Sequence, residues 1–137
     1  VEQVRTEVGT PGPAVADADV LVVDDDPDVR ASMAAVLESG GLSVLEAVDG
    51  ETALRVLEHS RVAVVVLDLH MSPRDGVWLL ERLKTPPAVI IVSAFSLYDR
   101  DAVLSRFSDV VAHAMQKPVA PPALIDAVRR SLGRHRP

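Results

Sequence analysis

Cysteine is absent from the 137 residues, so neither disulfides nor thiolate metal sites are open to this chain. Aromatic residues make up only 3% against a hydrophobic share of 48%, so the core has to be built from Val, Leu, Ala and Ile. No apolar run approaches the length needed to span a bilayer. The first eighteen residues lack a charged start followed by an apolar stretch, and so do not read as a signal peptide. A soluble cytoplasmic protein is the expectation. Lysine is scarce: of 14 basic residues only Lys84 and Lys117 are lysine, which makes a lysine directly before Pro118 stand out. The net charge of −6 argues against a general affinity for nucleic acid. Arg129, Arg130, Arg134, His135 and Arg136 do gather near the end. They read as cations favouring a helix C-terminus followed by a solvated tail.

What is present is a set of short apolar runs, each ending in a chemically useful side chain. Val20-Leu21-Val22-Val23 ends in Asp24-Asp25, and Val62 to Leu67 ends in Asp68. Val89-Ile90-Ile91-Val92 delivers Ser93, and a fourth stretch leads to Lys117-Pro118. Buried strands ending in acid, acid, hydroxyl and lysine point to one site at the edge of a sheet. Three carboxylates can hold a hard divalent cation through oxygen, while a lysine and a hydroxyl grip an anion beside it. That combination is suited to phosphoryl chemistry.

The rest of the chain is organised to match. Residues 1–18 carry Gly9, Pro11, Gly12 and Pro13 among small and polar residues, and read as an extension or linker. Asp26-Pro27 is a helix start, followed by the stripe Val29, Met33, Val36, Leu37 and stopped by Gly40-Gly41. Leu42–Val48 reads as a strand, and Asp49-Gly50 opens a second helix with Ala53, Leu54 and Leu57 inward. A loop from His70 to Gly76 leads to a short helix with Val77, Leu80 and Leu83, which Pro86-Pro87 prevents from continuing. Strand 88–92, helix 97–107, strand 110–116 and helix 121–132 complete five β-α units. Apolar strands alternating with helices imply a parallel sheet covered on both faces, a doubly wound α/β domain. Ligands of such folds sit beyond the carboxyl ends of the strands, where Asp24, Asp25, Asp68, Ser93 and Lys117 all fall.

The motifs V-V-D-D-D-P-D-V-R, V-V-L-D-L-H-M-S-P-R-D-G, I-I-V-S-A and Q-K-P-V, in that order, resemble response-regulator receiver domains of two-component signalling. The likeness covers residues 19–133 and leaves 134–137 as a tail. It implies a flavodoxin-like fold of the chemotaxis-regulator kind, with strand order 2-1-3-4-5. It implies that Asp68 is the phosphoacceptor, taking a phosphoryl group from a sensor histidine kinase, a phosphotransfer protein or a small phosphodonor. Mg²⁺ would be held directly by Asp25 and Asp68, through water by Asp24, and by the backbone carbonyl of His70. Asp26 would cap the helix and not ligate. Lys117 would pair with a phosphoryl oxygen, Ser93 would hydrogen-bond the phosphoryl group, and Lys117-Pro118 would be a cis peptide bond. No general base is needed, since carboxylates are ionised at neutral pH, and the chemistry asks mainly for positioning and charge. Such a protein modifies itself and hydrolyses the product slowly, without being a turnover enzyme.

The chain departs from the family pattern in places. Ser72 follows Met71 where proline is usual, with Pro73 one place later. Three residues before the lysine, where receivers place an aromatic that swings inward, stands Ala114. That weakens the usual coupling to the face made by the fourth helix, fifth strand and fifth helix, through which family members form homodimers. The expected substitute is a rearrangement of the loop after Ser93, with Phe95 as the moving apolar group. His70 and Phe95 occupy the two positions that tune dephosphorylation; both are bulky, which predicts a long-lived phosphoryl group. Trp78 lies off the Val77-Leu80-Leu83 stripe and reads as a cover for the short helix more than as a partner anchor.

Two other readings compete. A degenerate receiver would keep the fold and act as a non-phosphorylated protein-binding module, which Ala114 favours and the intact acid–hydroxyl–lysine set opposes. An aspartyl-phosphate phosphatase of the haloacid-dehalogenase type would want an acid two residues after its nucleophile, where this chain has His70. No helix-turn-helix or catalytic output module is read after Leu132, so the chain either works alone by binding partners or is a piece of a larger protein, which the initial Val and a linker at 1–18 to an upstream module favour. Output therefore falls to a protein partner or a separate output domain, with no direct binding of nucleic acid or membrane.

Overall fold

The computed structural model describes residues 17–70, 75–84, 87–94 and 100–135, with side chains as far as 133. Five strands, β1 (Ala18–Val23), β2 (Val44–Ala47), β3 (Val62–Leu67), β4 (Ala88–Ser93) and β5 (Val111–Gln116), alternate with five helices. These are α1 (Pro27–Ser39), α2 (Gly50–His59), α3 (Gly76–Leu80), α4 (Arg100–Arg106) and α5 (Pro121–His135). The strands form one parallel sheet in the order β2-β1-β3-β4-β5, as the doubly wound reading requires. Alternation along each central strand feeds two cores. Leu21, Val23, Val65, Leu67 and Ile91 face α2, α3 and α4. Val20, Val22, Val64, Val66 and Ile90 face α1 and α5.

Helix starts follow the capping residues. Asp26 accepts the amides of Asp28 and Val29 at 2.9 and 3.2 Å, with Pro27 opening α1. Asp49 and Asp75 accept the amides of Thr52 and Trp78 in the same way. Helix α1 ends in a Schellman closure: Gly41 takes φ of 86°, its amide bonds the Glu38 carbonyl, and the Leu42 amide bonds that of Leu37. This closure consumes Leu42, and Val48 at the other end is 45% exposed, so β2 is shorter at both ends than Leu42–Val48.

Other boundaries move for local reasons. Strand β1 already begins at Ala18, whose amide bonds the Arg61 carbonyl. Helix α3 ends at Leu80, ahead of the predicted Leu83. Arg82 and Leu83 donate to carbonyls three residues back, tight turns that still set Leu83 against the core. Helix α5 runs to His135, three residues past the predicted stop at Leu132. Strand β5 carries one extra residue, Ala112, opposite β4: Val89 pairs with Val111, but Ile90 pairs with His113. Residues 1–16, Met71-Ser72-Pro73, Pro86, Phe95 and the start predicted for α4 at 97–99 lie outside the described residues, as does Arg136.

Trp78 is half-buried on the core, with the Arg82 guanidinium 4.1 Å from its ring centre, in keeping with a covering role. The C-terminal arginines also serve structure. Arg129 donates to the Gly40 carbonyl at the end of α1, and Arg130 pairs with Asp126. The tightest approach in the fold is at Gly76, where α3 begins. A Cβ there would lie 2.6 Å from both the Asp68 carbonyl oxygen and Leu69 Cα. Gly76→Ala should therefore cost about 1–3 kcal/mol in urea unfolding. It should also displace the Asp68–His70 amide resonances, and an unshifted segment would refute the close contact.

Candidate functional site

The C-terminal ends of β1 and β3 are adjacent at the point where strand order reverses, the place where open α/β sheets bind ligands. Asp24 and Asp25 follow β1, and Asp68 follows β3. Ser93 closes β4, and Lys117 comes directly after β5. Carboxylate oxygens of Asp24, Asp25 and Asp68 lie within 4.8 Å of one another, the only such acidic or histidine group among the described residues. The fold thus gathers Asp24, Asp25, Asp68, Ser93 and Lys117 at one end of the sheet. Asp26 is turned away as the α1 cap, as expected.

Each oxygen of Asp68 is engaged. Its Oδ1 accepts the Ser93 hydroxyl and the His70 amide, both at 3.1 Å. Its Oδ2 accepts Lys117 Nζ at 3.2 Å, and the same ammonium donates to Asp24 Oδ2 at 2.8 Å. Asp68 and Ser93 are buried, Asp24 is wholly buried, Lys117 is 25% exposed and Asp25 is exposed. His70 stands exposed at the rim, its carbonyl on the same loop as the amide that reaches Asp68. Lys117-Pro118 is a cis peptide bond, and the Lys117 amide bonds the Ser93 carbonyl.

Burial sets the electrostatics. Removal from water pushes the Asp24 carboxyl above its ordinary 3.8, against hydrogen bonds from Lys117 and the Asp26 amide that favour the ionised form. Burial works the other way on Lys117, but its bond to Asp24 and the charges of Asp68 and Asp24 outweigh it and hold the ammonium above the usual lysine value. The arrangement can accept a hard cation on oxygen and an anion on the ammonium and hydroxyl.

Three residues near the site had no role in the sequence reading. Gly76 lets α3 close onto the backbone behind Asp68, and the Asp-Gly pair in the loop was its only signal. Arg30 on α1 donates to the Asp24 carbonyl at 2.8 Å and to Glu46 Oε1 at 3.2 Å. Glu46 could have been noticed as a lone acid inside an apolar strand. At Ala114 the strand is buried, and a groove of about 350 Å³ lies between α4, β5 and α5, lined by Ala112, Ala114, Ala123 and Ala127 together with longer side chains such as Leu104 and Met115.

Residues 20–129 match the family model described as the response regulator receiver domain. The chain is 36% identical over 123 residues to a 14.6 kDa protein in the sodA1 3′ region of Leptolyngbya boryana, spanning 85% of this chain and 91% of that one. It is 39% identical over 94 residues, 66% of its length, to the transcriptional regulatory protein PrrA of Mycobacterium tuberculosis. The match spans only 40% of PrrA. The structure of the receiver domain of the Francisella response regulator 1452 superposes with a TM-score of 0.77 at 28% identity, covering 87% of this chain and 99% of that one. With the parallel sheet, its strand order and the acid cluster already in place, these matches show that the chain belongs to the response-regulator receiver domains of two-component signalling.

Proposed function

We propose that this receiver is a phosphorylatable switch: Asp68 takes a phosphoryl group from a sensor histidine kinase, a phosphotransfer protein or a small phosphodonor. The supporting observation is the convergence of three carboxylates within 4.8 Å with Lys117 and Ser93 already bonded to Asp68. An Asp68 oxygen attacks phosphorus in line, the bond from phosphorus to the donor atom breaks, and its electron pair leaves with the donor. The product is an acyl phosphate. Lys117 passes from the carboxylate to a phosphoryl oxygen, and the Ser93 hydroxyl donates to another. The site fits Mg²⁺, since every donor is a hard oxygen and exposed Asp25 leaves an open side for water and phosphate. Asp25 and Asp68 would hold it directly, with the His70 carbonyl, and Asp24 through water. When bound, the ion offsets the charge of the carboxylates and of the incoming phosphoryl oxygens.

The protein then acts on a partner or output domain. With Ala114 in place of a ring, the loop after Ser93 and its Phe95 carry the change, and the face of α4, β5 and α5 remains the surface for a homodimer or partner. Its setting is the cytoplasm. Among the described residues no helix is long and apolar enough to cross a membrane.

Incubation with Mg²⁺ and acetyl phosphate or phosphoramidate should add one phosphoryl mass to the intact protein. The gain should vanish in Asp68→Asn and on chelation of the metal. No gain from these donors or from a kinase would leave the inert binding module as the reading. Replacing His70 and Phe95 together by small polar residues should shorten the phosphoryl lifetime in the same assay; an unchanged lifetime removes the shielding role. Lys117→Met, which strips buried Asp24 of its counter-ion, should cost about 3 kcal/mol in Mg²⁺-free urea unfolding. Added Mg²⁺ should recover more stability in that variant than in wild type, and equal gains would show that lysine and metal do not share the acids.

A further inference from the structure

Arg30 reaches from the first turns of α1 to two other elements. Its Nη1 donates to the Asp24 main-chain carbonyl at 2.8 Å, where β1 hands over to Asp25. Its Nε donates to Glu46 Oε1 on β2 at 3.2 Å, and both side chains are largely buried, 19% and 17% exposed. A planar guanidinium suits this task, since two of its N–H groups are fixed relative to one another. The Asp24 amide is meanwhile tied to the Ala47 carbonyl, and its carboxylate accepts the Asp26 amide and Lys117. Every polar atom of Asp24 is therefore held, and the carbonyl of the Asp24–Asp25 peptide is held by Arg30.

Asp25 differs from its neighbour: it is exposed, and among the described residues no hydrogen bond or ion pair holds its carboxylate. We infer that Arg30, anchored by Glu46, is a positioning residue that fixes the Asp24–Asp25 peptide and so aims the Asp25 carboxylate for a divalent cation. The inference rests on the reading of Asp25 as a direct metal ligand. Charge and geometry predict opposite signs, which makes it decidable. A cation near an acid cluster repels Mg²⁺, so removing Arg30 and uncovering Glu46 would tighten metal binding if charge ruled. Loss of the brace weakens it, because ligands left to reorient lose affinity, typically by tenfold or more.

The test is calorimetric titration of Mg²⁺ into wild type and Arg30→Met/Glu46→Gln, a pair that keeps net charge constant. The double variant should bind Mg²⁺ about tenfold more weakly. Its phosphorylation by acetyl phosphate should have a midpoint shifted to higher Mg²⁺ by a similar factor, and a rate close to wild type once Mg²⁺ saturates. A general loss of structure would lower the saturated rate too. Arg30→Lys, which keeps one donor for the Asp24 carbonyl, should bind more tightly than the double variant. If the double variant does not fold, Arg30→Gln alone decides by sign, weaker binding supporting the brace. Binding equal to or tighter than wild type overturns it. Wild type that binds no Mg²⁺ would remove the metal-site reading and this inference together, whereas equally tight binding in both proteins removes the inference alone.

Discussion

One ammonium holds the functional edge of this protein together. Asp24 and Asp68 lie a few ångströms apart and buried, an arrangement in which two ionised carboxylates repel strongly unless a cation lies between them. Lys117 supplies it, bridging an oxygen of each at 2.8 and 3.2 Å. Because those acids close β1 and β3 while the lysine follows β5, the bridge spans the ends of the sheet from its centre to its edge. It is also provisional. Under the proposed function a cation and a phosphoryl group would claim the same three groups, and the resting contacts would be exchanged for theirs.

Support for that exchange lies behind the acids. Gly76 allows α3 to press on the Asp68 carbonyl, and Arg30 with Glu46 holds the Asp24 carbonyl. The carboxylates can change partners while their backbones stay put. On the output side the sequence offers less: Ala114 is a small residue between α4, β5 and α5, and the groove there is lined by four alanines beside longer side chains such as Leu104, His113 and Met115.

Much of this was legible in the sequence because strand-end chemistry is local. Val20–Val23 and Val62–Leu67 announce buried strands by composition, and the acids that follow them are placed by the fold rule that loops at carboxyl ends carry function. Caps at Asp26 and Asp49 are equally local, since each needs only the amides of its own first turn. What was not legible depends on partners distant in the chain. The shortness of β2 comes from the Gly41 turn of the preceding helix, and the role of Arg30 appears only when β2 is laid beside β1. Strand β5 is the clearest case. Strict alternation would put Val111 and Ala114 on opposite faces, yet both reach the same core, because Ala112 is inserted between them.

That insertion makes the phase of strand pairing a functional parameter. Ser93 pairs with Gln116, and Lys117 takes its place at the sheet edge because the strand contains one residue more than its neighbour requires. A change of side chain at 112 leaves this phase alone. Even pairing of this sequence onward from Val89 and Val111 would set Met115 beside Ser93 and bring Gln116, which carries no charge, into the seat of the lysine. A half-buried alanine with no chemistry of its own is therefore left unpaired so that the lysine meets the acids, and the constraint there is one of register, not of side-chain identity.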